Sequence, residues 1–135
     1  MTQPNVPNVR EQPPLSEEVQ RAARAAIIPA AAARATGTLF AVVNGFDGTL
    51  ARGAGAVSAA KIPGFTGAYE VLFNQDVDRG AFLATIGLSA TSGQEVPGEI
   101  VVNLRVGTTN GVFVQTSDSS GADADRSFHL AVVLP

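Results

Sequence analysis

Cysteine and tryptophan are both missing from this chain, and histidine, tyrosine and methionine occur once each in 135 residues. Without cysteine there is neither a disulfide framework nor a thiolate metal site. That fits a reducing compartment, and equally a secreted protein that needs no bridges. Aromatic residues make up 6% of the chain, seven of them phenylalanine, so base-stacking or sugar-stacking platforms lack material. Basic charge is scarce too. Nine Lys plus Arg lie scattered against twelve Asp plus Glu, for a net charge of −3, and no basic stripe exists to grip nucleic acid. No run approaches the roughly 18 apolar residues of a membrane span.

Charged residues amount to only 16% of the chain, against about 25% for ordinary soluble domains. Mean hydropathy is slightly positive at +0.18. A small domain has much surface per residue and should need more charge than average, not less. Either a homo-oligomeric interface covers part of that surface, or the surface is a bland one of Ser, Thr, Gly and Ala.

The chain divides near Thr36. Pro4, Pro7, Pro13 and Pro14 keep the first stretch out of helix and central strand, so it reads as an extended arm. A short helix is expected over Pro14–Ile28, with Ser16 as N-cap, Glu17 and Glu18 in the first turn and Pro29 as the stop. Leu15, Val19, Ala22, Ala23, Ala26 and Ile27 form its apolar stripe. Such a helix is marginal alone and needs a surface to lie on. The run Ala25–Ala35 has small residues suited to a signal peptidase. It sits late, however, and Pro29 and Arg34 interrupt it, so a soluble, unprocessed chain is expected.

From Gly37 the pattern is strands and turns. Gly37–Asn44, a thin glycine-broken stretch Leu50–Ile62, Gly67–Asn74, Gly80–Ser89, Glu99–Val106, Gly111–Asp118 and a final SFHLAVVLP give about eight strands. Leu50–Ile62 counts as one kinked edge strand or two short ones. The fold class is therefore all-β, a jelly-roll-like antiparallel sandwich at 37–135, preceded by the arm and short helix at 1–36. In GAYEVLFN, Tyr69, Val71 and Phe73 share the buried face, while Leu72 sits on the other between Glu70 and Asn74. IVVNLRV and FHLAVVL likewise carry Val101 and Val133 on second faces. A two-layer sandwich buries one face per strand. The second faces must meet solvent, the helix or another copy.

No catalytic constellation stands out. His129 could serve in a triad only beside a Ser and an Asp, and Ser127 and Asp125 are merely sequence neighbours. Asp76/Asp78 and Asp123/Asp125 fall in turns, where Asp bonds its own backbone. Asp118, Asp123 and Asp125 do not follow a calcium-loop spacing, and the glycines of ARGAGA do not open a helix as a phosphate cradle would. No cofactor and no metal are expected. Phe46 and Phe65, in turns, are the aromatics placed either for contact with a surface ligand or to plug the end of the sandwich.

GFTGAYEVLFN, with Gly67, Tyr69, Val71 and Phe73, resembles the Gly-x-Tyr strand of complement-type and tumour-necrosis-factor-like jelly-roll heads. Val71 stands where those heads carry an aromatic residue. EIVVNLRVGTTNGVFVQT is similar to their paired strands. Thr38–Leu134 as a whole resembles small β domains of bacterial and phage fibre-type proteins. The resemblance implies a non-enzymatic module that assembles, as a trimer or higher homo-oligomer, into a fibre or shell. Leu15, Val19, Ala23, Ile27, Leu72, Val101 and Val133 would then be interface residues and the arm would reach neighbouring subunits. The alternative is an adhesin or lectin-like head that binds through its loops.

Overall fold

The computed structural model describes residues 9–29 and 37–135. The extended arm expected over residues 1–8, and the stretch 30–36 between helix and sandwich, lie outside the described residues. Eight strands follow one helix: α1 (Glu17–Ala26), β1 (Thr38–Val43), β2 (Leu50–Ala54), β3 (Ala56–Lys61), β4 (Ala68–Phe73), β5 (Ala81–Ile86), β6 (Glu99–Leu104), β7 (Gly111–Ser117) and β8 (Phe128–Val133). They form two four-stranded antiparallel sheets, sheet A in the order β2-β1-β8-β5 and sheet B in the order β3-β4-β7-β6. Two early strands pair with the last two, β1 with β8 and β4 with β7, the nesting that gives the sandwich its jelly-roll-like character.

Alternation decides the core. Leu39, Ala41 and Val43 of β1, with Phe128, Leu130 and Val132 of β8, face Tyr69, Val71 and Phe73 of β4 and Val112 and Val114 of β7. All are nearly or wholly excluded from solvent. The Tyr69 and Phe128 rings meet edge to face at 5.2 Å between centroids, a favourable geometry for their opposed quadrupoles. Tyr69 keeps its polar end satisfied by donating to the Gly45 carbonyl at 2.7 Å. Every member of this core cluster is a residue of the sandwich.

The glycine-broken stretch resolves into two strands. At Gly55 (φ +79°) the chain leaves the edge of sheet A and enters the edge of sheet B. A Cβ there would sit 2.7 Å from Leu39 Cδ2, the movable end of a side chain, and it is the left-handed turn that requires glycine.

The helix is shorter than its sequence pattern. Ser16 caps it, accepting from the Val19 N–H at 3.1 Å. The Pro13 and Pro14 carbonyls bond to Arg105 rather than opening a helical turn. At the far end Ile28 N–H donates to the Asn74 carbonyl. Strand β6 also ends early, because Arg105 and Thr108 close the turn to β7.

Tyr69→Ala or Phe73→Ala, each opening a large void in this core, should cost about 3–5 kcal/mol. Urea unfolding checks this; a wild-type midpoint for either variant would overturn the register assigned to β4.

Candidate functional site

The two sheets treat their outer faces differently. On sheet B, β4 turns Ala68, Glu70 and Leu72 outward and β7 turns Phe113 and Gln115 outward. These residues are 9% exposed or less. Residues 9–29 lie over this face as a strap, with α1 against β4. Arg105, directly after β6, is 1% exposed. Its Nε donates to Glu70 Oε2 at 2.6 Å, and the pair's side chains are only 1% and 6% exposed. A buried ion pair is tolerable only when its remaining donors are used. Nη1 of Arg105 donates to the Pro13 carbonyl at 2.5 Å and to Gln12 Oε1 at 3.3 Å, and Nη2 to the Pro14 carbonyl at 3.2 Å. Proline has no N–H, so a Pro-Pro segment offers carbonyl acceptors in an extended backbone without an unmatched donor of its own. Gln12 completes the clasp along edge strand β6. Its amide donates to the Leu104 carbonyl at 2.7 Å while its Oε1 accepts from Val106 N–H at 2.9 Å.

The helical end of the strap is tied as well. Buried Asn110 donates from Nδ2 to the Ala23 carbonyl at 2.7 Å and to the Phe73 carbonyl at 2.9 Å. The exposed Arg10–Asp123 contact at 3.1 Å adds little, as solvated surface pairs do.

The residues expected at an interface divide accordingly. Ala23 is 2% exposed and Leu72 4% exposed within one chain, and Leu15, Val19 and Ile27 are half-buried on the same strap. The second face of GAYEVLFN thus packs against its own chain, and Leu72 and the described part of the arm need no neighbour for their burial. Val101, 61% exposed, borders the groove beside residues 10–14, and Val133 is 42% exposed on the other sheet.

On sheet A the outer face is open. Phe40 of β1, Leu83 of β5 and Val133 of β8 are 40%, 59% and 42% exposed around half-buried Ala131. Strands β1, β5 and β8 contain no Asp, Glu, Lys or Arg. At one end the segment after β5 crosses this face, held by His129 Nε2 to the Leu88 carbonyl at 3.0 Å and Arg52 to the Ser89 carbonyl at 2.8 Å.

Most of the carboxylates considered for chemistry are occupied by structure. Asp125 takes Lys61 Nζ at 2.5 Å and the Gly67 N–H at 2.8 Å. Burial pushes its carboxyl up, and the Lys61 and Gly67 hydrogen bonds outweigh that, holding it below the usual carboxylate range. Glu95 behaves alike: burial raises it, and the N–H groups of Ser127 and Val96 bring it below normal. Burial drives the Tyr69 phenol upward. Asp76 accepts from Thr109 Oγ1 at 2.6 Å. Asp118 folds its own turn around Ser120 and Ala122, as Asp47 does around Thr49. Among the described residues, no cluster of three or more His, Asp or Glu is placed to hold a metal ion. Phe46 stands 88% exposed in the turn after β1 and Phe65 47% exposed before β4. The two do not share a pocket: Phe65 lines the groove under the strap, among Arg10, Pro13, Pro14 and Phe113.

What sequence reasoning missed is Arg105. The available signal was Glu70 enclosed by the apolar residues Tyr69, Val71, Leu72 and Phe73 of AYEVLF; once that strand is buried at every position, the acid demands a cationic partner.

Arg105→Ala should destabilise the fold by about 3–5 kcal/mol, because it strands Glu70 in a dry site. The double variant Arg105→Met/Glu70→Leu should recover most of that loss. A urea midpoint for Arg105→Ala equal to wild type would remove the pair from its central place. Acid should act through Asp125 and Glu95. Their folded values lie below the unfolded ~3.9 and ~4.3, so the stability they contribute is complete above about pH 5 and is lost as pH falls through the folded values. Thermal midpoints measured from pH 6 to pH 2.5 should therefore drop less steeply for Asp125→Asn than for wild type; parallel curves would contradict this.

No protein-family model, curated protein or solved structure matches this chain.

Proposed function

We propose that this chain is a non-enzymatic structural module that self-associates through the outer face of sheet A, as a trimer or a higher homo-oligomer of a fibre or shell. The observation that carries this reading is the asymmetry of the two sheets. The strap covers sheet B's second face over β4 and β7, leaving Val101 of edge strand β6 in water, whereas sheet A keeps Phe40, Leu83 and Val133 partly in water. Strands β1, β5 and β8 place no Asp, Glu, Lys or Arg on this face, and Arg52 of β2 stands only at its edge, so another copy of the chain can approach it with little like-charge repulsion. Such a face also accounts for the low overall charge. The trimer itself rests on the resemblance of Gly67, Tyr69 and Phe73 to jelly-roll heads.

Magnitudes set the strength. Fully burying a large apolar side chain is worth about 1.5–3 kcal/mol, and these residues are already half covered. Association costs about 4–15 kcal/mol. Even with each copy contributing its own residues, gain and cost nearly balance, so the association should depend on concentration.

A second reading has one observation in its favour. Phe46, 88% exposed, is held out by an Asx turn in which its N–H donates to Asn44 Oδ1 at 2.9 Å. That is the posture of a contact residue in a binding head.

Light scattering over a wide concentration range should show the full chain growing from monomer toward an oligomer, and Leu83→Asp should hold it monomeric with an unchanged melting midpoint. A monomer at every concentration would sink the assembly reading and leave the Phe46 loop as the leading surface.

A further inference from the structure

The strap is built like a ligand rather than like a part of the core. Among the described residues, none before Leu39 belongs to the main hydrophobic cluster, which the strands complete among themselves with Val77. The strap carries its own local order in the Ser16 cap and the α1 helix. Its polar attachment is concentrated at three points, the Arg105 clasp on Gln12, Pro13 and Pro14, the Asn110 bond to Ala23 and the Ile28 N–H bond to the Asn74 carbonyl. The receptor side is prepared in advance. Glu70 fixes the Arg105 guanidinium from within sheet B, so its two outer nitrogens point at proline carbonyls whether or not the strap comes from the same chain. Phe65 and Phe113 supply the apolar wall of the groove beside Pro13 and Pro14. Aromatic walls and donors aimed at carbonyls are how extended proline segments are recognised elsewhere.

We infer that the outer face of sheet B is a peptide-binding groove for a Gln-Pro-Pro-Leu segment followed by a short amphipathic helix, and that it accepts this segment from a second copy of the chain. Nothing in the contacts distinguishes the two sources. The Arg105, Gln12 and Asn110 bonds are the same in cis and in trans, so exchange loses no contact and is opposed only by the entropy of association and the path of the joining residues. Copies held close by other contacts see each other's straps at an effective concentration in the millimolar range, which favours exchange. The occupant is a second copy because the chain itself supplies the matching segment. The inference concerns sheet B and stands independently of association through sheet A.

The absence of cysteine makes the test clean. A Cβ built on Gly107 lies 3.8 Å from Leu15 Cβ, within the range a disulfide spans. Full-length Leu15→Cys and Gly107→Cys chains of different tagged mass are unfolded together, refolded at several concentrations and oxidised. Exchange yields a disulfide heterodimer whose share rises with concentration, while the double variant Leu15→Cys/Gly107→Cys at high dilution closes within one chain. If the double variant closes and the mixed single variants stay separate, the groove serves only its own strap and the inference falls. If the double variant fails to close, the groove assignment itself falls. Gly107 has φ +89°, a strained position for cysteine. Arg10→Cys with Asp123→Cys, joined by a bis-maleimide, therefore repeats the test at a second point of the strap. A heterodimer from chains that light scattering finds monomeric through sheet A would overturn the assembly reading and leave this one intact.

Discussion

The Arg105–Glu70 pair is the constraint from which the rest of the arrangement follows. An ion pair on the outer face of a two-layer sandwich would ordinarily be wet, and a wet pair holds little together. Here the side chains are 1% and 6% exposed, so water is excluded and the spare guanidinium hydrogens need protein acceptors. The Pro13 and Pro14 carbonyls and the Gln12 amide oxygen are those acceptors. The need is mutual. Ten residues of helix, Glu17–Ala26, are too few to persist alone, and they gain a surface because the prolines ahead of them are pinned. Leu72 and Phe113 stay dry under the same cover.

Closing one sheet in this way leaves the other as the site of interest. Sheet A offers Phe40, Leu83 and Val133 to solvent with no charge on β1, β5 or β8. The titratable groups at the end of the sandwich are engaged otherwise. Asp125 joins Lys61 to the Gly67 turn, and Glu95 holds the Ser127 backbone. A carboxylate kept ionised by such partners serves architecture rather than proton transfer, since a general acid or base works best with its value near the working pH.

Much of this was legible in the residues. Turn residues and period-two alternation placed the strands in outline, with Leu50–Ile62 left as one kinked strand or two short ones, and Ser16 with Glu17 and Glu18 marked the start of the helix. The glycines between Leu50 and Ile62 announced a break, which proved to be a change of sheet at Gly55. The limit of alternation shows at Leu72: the pattern says that a second face is apolar and is silent on what covers it. The cover turned out to be the chain's own strap, whose helical stripe carried the matching signal in Ala23. Arg105 escaped notice because its partners are distant in sequence. Glu70 is thirty-five positions away and Pro13 ninety-two, and a lone arginine at the end of LRVG reads as a solvent-facing residue. Long-range polar pairing leaves no periodic trace.

The most direct measurement is amide hydrogen exchange of the intact chain in dilute solution, read over residues 17–26. A free ten-residue helix would exchange its amides at nearly unstructured rates. If the Arg105 clasp holds the strap on sheet B, the amides of Gln20–Ala26 exchange at least ten-fold more slowly than in the isolated peptide, and Arg105→Met/Glu70→Leu returns them toward the peptide's rates. Peptide-like exchange in the wild-type chain would mean that sheet B is not closed by its own strap, and the account built on that closure would be wrong.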